Sequence, residues 1–215
     1  MLYVLDIDDT LYLERDYARS GFYAVGCWLA ENRNVEEFFE YAWVLFESGS
    51  RGNIFDTVLE DLGIFDKELV SRLVHLYRSH PPDISLQSDA MEFLKRYNRN
   101  DFAIISDGYS NAQWAKIRAL NLEQYVDKII VTDDLGKKFW KPSPSAYILA
   151  QGDRSSKECV YIADNPLKDF EAPAVLGWAP SVRIRRKGSL HYDIESPESC
   201  VEVGFLTDEI LNSKI

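Results

Sequence analysis

The sequence predicts an α/β fold, a parallel sheet covered by helices and interrupted after its first strand by an all-helical insertion. Three observations lead there. Short apolar runs recur at residues 2–5, 102–105, 128–132, 159–163 and 181–184. Helix-length segments separate most of them, the pattern of strands buried on both faces and joined by crossover helices. Residues 14–81 instead repeat apolar side chains at three- and four-residue spacing and contain no strand-like run. This division assigns residues 1–13 and 82–215 to a sheet domain and residues 14–81 to a helical domain.

Taken in order, residues 2–5 read as a buried strand that ends abruptly in acid at Asp6. Phe22, Val25, Trp28 and Leu29 mark the first helix of the insertion, and Val35, Phe38, Phe39, Ala42 and Phe46 the second. Ile54, Phe55, Val58, Leu59 and Leu62 mark a third, and Leu69, Leu73, Leu76 and Tyr77 a fourth. Gly49, Gly52 and Gly63 punctuate them, and Pro81 with Pro82 stops the last. Ala90, Phe93, Leu94 and Tyr97 then predict a helix ahead of the strand at 102–105. Helices are expected at 110–120, 143–151 and 167–176, alternating with the remaining strands, and a terminal helix at 206–212. The polar stretch 186–200 reads as a surface loop, and the basic cluster from Arg183 to Lys187 as solvated charge.

Bulk properties narrow the function. With 46% apolar and 13% aromatic residues the chain has the means to build a real core. A net charge of −11 argues against a nucleic-acid or acidic-membrane partner, since phosphate surfaces need a cationic counterpart. The three cysteines, Cys27, Cys159 and Cys200, lie far apart and outside any CxxC pattern, which argues against a zinc centre or a disulfide framework. No signal peptide is recognisable at the N-terminus and no apolar run is long enough to span a bilayer, so a cytoplasmic location is expected.

Ligands of open parallel sheets bind beyond the carboxyl ends of the strands, and those ends carry reactive groups here. The first gives Asp6-Ile7-Asp8-Asp9-Thr10-Leu11, the second Ser106-Asp107-Gly108, and the fourth Asp164-Asn165-Pro166-Leu167-Lys168-Asp169; Lys141-Pro142 follows the third. Singly, each is also what a turn, a helix cap or a surface lysine would look like. Together, their order brings Asp6, Asp8, Asp164 and Asp169 to one site. Each close pair of like charges costs about 4 kcal/mol at ~4 Å and an effective dielectric near 20. Lys141 alone does not offset that, whereas a hard divalent cation such as Mg²⁺ does. The only histidines are His75, His80 and His191, none near these motifs in sequence, which disfavours imidazole-ligated metals.

The ordered set DxDDTL, strand-end Ser, Lys-Pro and DNPxxDF resembles the haloacid dehalogenase superfamily of aspartyl phosphotransferases, over about residues 1–184. The resemblance implies a Rossmann-like core and a helical cap formed by the insertion, with Tyr12, Leu13 and Glu14 in the flap leading into it. It also implies catalytic roles. Asp6 attacks phosphorus, and Asp8 gives a proton to the leaving alkoxide and later takes one from water. Mg²⁺ is held by Asp6, Asp164 and Asp8, the last through its backbone carbonyl, with Asp169 in the outer shell. Ser106, the amides around Asp107 and Gly108, and Asn165 hold the phosphoryl group, and Lys141 neutralises Asp6 and a phosphate oxygen. One departure is visible: Ala163 precedes Asp164 where relatives usually carry glycine.

Within that superfamily, Asp8 argues against a dehalogenase, which lacks an acid at this position. A phosphonatase needs a lysine near the start of the cap, and residues 1–66 contain none. The reading is therefore a phosphatase acting on a small phosphomonoester, such as a sugar, polyol or nucleotide phosphate. A sugar-phosphate mutase and a non-catalytic scaffold or sensor are the alternatives. Arg51, in a glycine-flanked turn of the insertion, is a candidate substrate contact, although an exposed loop arginine reads the same way.

Overall fold

A computed structural model describes residues 1–208. It divides into two compact units, one made of Met1–Arg15 and the chain from Ile84 onward, the other of Asp16–Asp83. In chain order the first elements are strand β1 (Leu2–Leu5) and helices α1 (Glu14–Arg33), α2 (Phe38–Glu47), α3 (Ile54–Asp61) and α4 (Lys67–Ser79). There follow α5 (Ser88–Arg96), β2 (Phe102–Ser106), α6 (Ser110–Ala119), β3 (Lys128–Val131), α7 (Thr132–Leu135) and α8 (Ser145–Gln151). The last are β4 (Cys159–Ala163), α9 (Glu171–Val175), β5 (Val182–Ile184) and β6 (Val201–Val203). Among the described residues, no helix is long and apolar enough to cross a membrane.

The six strands form one sheet in the order β3-β2-β1-β4-β5-β6, and every pairing is parallel. β1, β2 and β4 are buried at every residue, as expected of strands covered on both faces. The register sets Leu5 opposite both Ile104 and Ile162, so neighbouring strands reach their carboxyl ends together. The Asp6 N–H still donates to Ile162 O at 3.0 Å, which carries strand pairing up to the first acid. Val4, Ala103, Ile105, Tyr147, Tyr161 and Trp178 belong to one hydrophobic cluster against the sheet.

Three sequence expectations change here. The segment read as a loop after residue 186 leads into β6, a sixth strand pairing with β5. At three residues, two of them not buried, it is too short to give a periodic signal. Within the basic cluster Lys187 is exposed, as expected, but Arg183 and Arg186 are not solvated, being 1% and 5% exposed. Arg183 is satisfied by Asp164 O, His191 O, Ile194 O and Ser196 Oγ. Arg186 makes a two-pronged ion pair with Asp89 at 2.8 and 2.9 Å and also donates to Thr10 O. The helix expected at 167–176 is confined to α9. Most of the one expected at 206–212 lies outside the described residues, and Leu206 and Thr207 are in a turn.

The helical unit is built on an aromatic cluster in which Phe22 meets Phe46, Phe55 and Tyr77. Gly21 permits it, because a Cβ there would lie 2.5 Å from the Tyr77 ring. Trp43 stacks on Phe39 and Phe46, and the Arg72 guanidinium covers Trp28.

Candidate active site

The carboxyl ends of β1 and β4 and the turn carrying Lys141 place two acids, Asp6 and Asp169, against one cation, with Asp164 beside them. The Lys141 ammonium, its side chain fully buried, pairs with Asp6 and sits 3.0 Å from Asp169 Oδ1. Asp169, fully buried, is fixed from several sides. Its Oδ2 accepts from Asn165 N at 3.1 Å, its Oδ1 from Tyr161 OH at 3.4 Å, and its backbone carbonyl from Tyr147 OH at 3.2 Å. It therefore closes the turn after β4 and also answers the lysine charge.

The electrostatics are those of an acid-rich pocket short of positive charge. Burial pushes Asp6 up to about 7, with Lys141 opposing and Asp169 and Asp8 adding to the rise. Asp164 is driven well above the carboxylate range by burial and then by Asp6 and Asp169. Burial works to lower Lys141, but the charges of Asp169 and Asp6 overcome it and hold the ammonium firmly protonated. Ligand oxygens of Asp6, Asp164 and Asp169 all lie within 4.8 Å of one another. Three buried carboxyl groups with oxygens this close form an oxygen-lined cluster whose full ionisation exceeds the charge of Lys141, and a hard divalent cation fits such a set.

The Asp8 carboxylate is not among the ligand atoms of that cluster, although its charge still adds to the rise of Asp6 and Asp164. The alternation of an extended chain stops at Leu5. Residues 7–11 turn back, with Thr10 N and Leu11 N both donating to Ile7 O. The Asp8 carboxylate meets Lys116 of α6 instead, at 2.7 and 2.9 Å, and accepts the Tyr12 hydroxyl. Burial works to raise Asp8, but the Lys116 charge and the bonds from Lys116 and Tyr12 outweigh it and hold the carboxyl below its ordinary range.

Asp9 takes the role of turn former. Its backbone is left-handed at φ 52°, which aspartate tolerates, and its carboxylate accepts Glu14 N at 2.8 Å and Leu190 N at 2.7 Å. Burial, followed by Glu14 and Asp164, pushes it up to about 8. The absence of histidine from the motifs does not carry over to space. His191 Nδ1 lies 3.0 Å from Asp164 Oδ2, and Asp9, Asp164 and His191 form a second group of ligand atoms within 4.8 Å.

The other predicted residues divide. Ser106 is buried and donates its hydroxyl to Gln113 Oε1 at 2.6 Å. Asp107 accepts Thr132 Oγ1 at 2.7 Å, Lys141 N at 3.0 Å and Lys168 Nζ at 2.9 Å, so its side chain braces the lysine turn. Burial would raise it, but the Lys168 charge and these bonds prevail and lower it. Gly108 has φ 138°, and a Cβ there would lie 2.7 Å from Gln113 Nε2, so only glycine fits. Asn165 uses its side chain on Leu167 N at 3.0 Å. Arg51, in the helical unit, donates to Phe46 O and Ser50 O with its guanidinium 4.2 Å from the Phe46 ring centre.

Lys116, Lys168, Tyr12 and His191 escaped the sequence reading as site residues. Lys116 had a signal, since it shares a buried helical face with Ala112, Gln113 and Ile117, where a lysine is out of place. Lys168 stood inside a quoted motif. His191 had none, lying 27 residues beyond Asp164 in a polar loop.

A family model described as haloacid dehalogenase-like hydrolase matches residues 1–177. The chain belongs to this family. It is similar to a glyceraldehyde 3-phosphate phosphatase of Methanocaldococcus jannaschii, with 26% identity over 216 residues, covering 91% of this chain and 88% of the relative. Among solved structures it resembles the HAD-hydrolase YfnB of Bacillus subtilis bound to magnesium, at a TM-score of 0.65 and 16% identity, covering 100% of this chain and 98% of that one. It also resembles L-2-haloacid dehalogenase of Xanthobacter autotrophicus, at a TM-score of 0.63 and 17% identity, with full coverage of both chains. At such identities the solved structures speak for the fold. As a haloacid dehalogenase-like hydrolase the chain is an enzyme class member whose acidic cluster has the composition to hold a divalent metal.

Proposed function

We propose that this hydrolase is a Mg²⁺-dependent phosphatase of small phosphate esters, with Asp6 as the nucleophile. The observation that carries the reading is the buried Asp6–Lys141 pair sharing one pocket with Asp164 and Asp169. The acid at position 8 favours phosphate over halide chemistry, because an alkoxide leaving group needs a proton and a halide does not. Similarity to a glyceraldehyde 3-phosphate phosphatase supports a small, sugar-like ester. The helical insertion is read as the family's cap, the part that selects the leaving group.

In this reading an Asp6 oxygen forms a bond to phosphorus as the bond from phosphorus to the leaving oxygen breaks. That oxygen takes a proton from Asp8. Asp8 is ionised beside Lys116 before substrate arrives; the incoming phosphate charge raises its proton affinity, and it takes up from the ester monoanion or from water the proton that it then gives. Water then attacks the phospho-aspartate, gives a proton to Asp8 and releases inorganic phosphate. Lys141 opposes the rise that burial imposes on Asp6, favours its anionic form, and balances charge on a phosphoryl oxygen. Asp6, Asp164 and the Asp8 carbonyl, with Asp169 behind them, would hold Mg²⁺, which supplies neutralisation of the phosphoryl oxygens. Ser106, the amides at Asp107 and Gly108, and Asn165 are assigned to the phosphoryl group, and Arg51 is retained as a candidate contact of the leaving group.

The test is Asp6→Asn, which preserves shape and removes the nucleophile. Turnover of p-nitrophenyl phosphate with Mg²⁺ should vanish while circular dichroism stays unchanged, and retained activity would sink the mechanism. A panel of phosphate esters ranked by kcat/KM on the parent chain identifies the substrate.

A further inference from the structure

We propose that Lys116 is a positioning residue for Asp8: with the Tyr12 hydroxyl it clamps the Asp8 carboxylate outside the Asp6–Asp164–Asp169 cluster and reserves it for proton transfer. The proposal rests on the phosphatase reading and adds to it the device that separates two kinds of acid within one turn.

Four acids that chemistry must divide into cation ligands and a proton carrier lie close together here. A divalent cation in the cluster attracts any free carboxylate within reach, so the proton carrier needs something to keep it back. Lys116 supplies that with Nζ at 2.7 and 2.9 Å from the two Asp8 oxygens. Tyr12, fully buried, places its hydroxyl on Asp8 Oδ1. Oδ1 thus holds two donors and Oδ2 only one of these, which leaves Oδ2 the freer oxygen to face a reacting group. Exposure agrees with this division, with the Asp8 side chain 19% exposed against 10%, 0% and 5% for Asp6, Asp169 and Asp164. The clamp is also built into the fold. Gln113, one turn before Lys116 on α6, takes the Ser106 hydroxyl, so one buried helix face delivers two polar groups to adjacent strand ends.

Leaving groups provide the test. Lys116→Met removes the ammonium and keeps the stem, and Tyr12→Phe removes only the hydroxyl. With Mg²⁺, kcat/KM is measured on the full chain for aryl phosphates, whose leaving groups depart without a proton, and for alkyl phosphates, whose leaving groups require one. Lys116→Met is expected to lose about 100-fold more on alkyl than on aryl esters. Lys116→Arg should recover most of that difference, and Tyr12→Phe should show a smaller loss of the same kind. Equal losses on both ester classes, or none, overturn the proposal, and if Lys116→Met does not fold, Tyr12→Phe decides by the same comparison.

Mg²⁺ calorimetry gives a readout without turnover. Lys116→Met should bind the ion more tightly because the released Asp8 reaches it, and the gain should disappear when Asp8→Asn is added. A gain that persists in the double variant reflects lost charge alone and overturns the clamp. A parent chain that hydrolyses no phosphate ester defeats the phosphatase reading, and the calorimetric cycle still decides the clamp.

Discussion

Lys141→Met tests the charge balance of the site most directly. The substitution preserves length and apolar stem and deletes one buried positive charge. In the structure that charge answers Asp6 and, at 3.0 Å, Asp169. A unit pair at ~3 Å and an effective dielectric near 20 is worth about 5 kcal/mol before desolvation is counted. Desolvation has already been met in the native site, so removing the lysine leaves Asp6 and Asp169 buried and unanswered. Breaking a buried pair in this way costs about 3–5 kcal/mol. Part of that is recovered as Asp6 takes up a proton, which disables it as a nucleophile. The expected result is a loss of stability of that size in urea unfolding with EDTA, smaller with Mg²⁺, because the ion takes over part of the lysine's work. Steady-state kcat toward p-nitrophenyl phosphate should fall about 100- to 1,000-fold, the usual effect of losing one electrostatic stabiliser. Unfolding within about 1 kcal/mol of the parent, together with kcat within about tenfold, refutes the reasoning.

Three further outcomes are expected. Asp89→Ala strips Arg186 of its two-pronged partner and Leu206 N of its acceptor, and Arg186 Nε has no hydrogen-bond partner among the described residues; urea unfolding should report a loss of about 3–5 kcal/mol, and a loss under about 1 kcal/mol contradicts the buried-pair account. His191→Ala should weaken Mg²⁺ binding about tenfold by calorimetry, because the imidazole holds the Asp164 carboxylate at 3.0 Å, and unchanged affinity removes that role. The third concerns pH. Asp6 at about 7 and Asp9 at about 8 hold protons more tightly folded than unfolded, so their contribution to stability is complete below the ordinary carboxylate range and is lost as pH rises through those values. Metal-free protein should therefore melt lower at pH ~8 than at pH ~5, with Mg²⁺ restoring stability at the higher pH, and a rise in melting temperature over that interval without metal contradicts the assignment.

Legibility in the sequence followed the range of the forces involved. The run at residues 2–5 and the run at 159–163 each end in acid, and burial on both faces makes such runs visible without partners. The four helices of the insertion were visible for a related reason, since each carries its own apolar stripe. β6 was hidden because it is short and its pairing with β5 supplies what its composition lacks. The pairing of Asp8 with Lys116 and Tyr12 was hidden because the chain leaves the strand after β1 and turns at residues 7–11, so its partners come from elsewhere in the fold.

By itself, then, the sequence determined the parallel α/β core, the helical insertion, and the order in which Asp6, Ser106, Lys141, Asp164 and Asp169 reach the strand ends. Only the tertiary structure decided how the charges are shared. Lys116 reaches Asp8 across 108 residues, Arg186 reaches Asp89 across 97, and Leu190 reaches Asp9 across 181. Local propensity encodes which residues prefer helix or strand. Which buried cation answers which acid is fixed only when the sheet register brings distant segments within a few ångströms, where desolvation makes every unpaired charge costly.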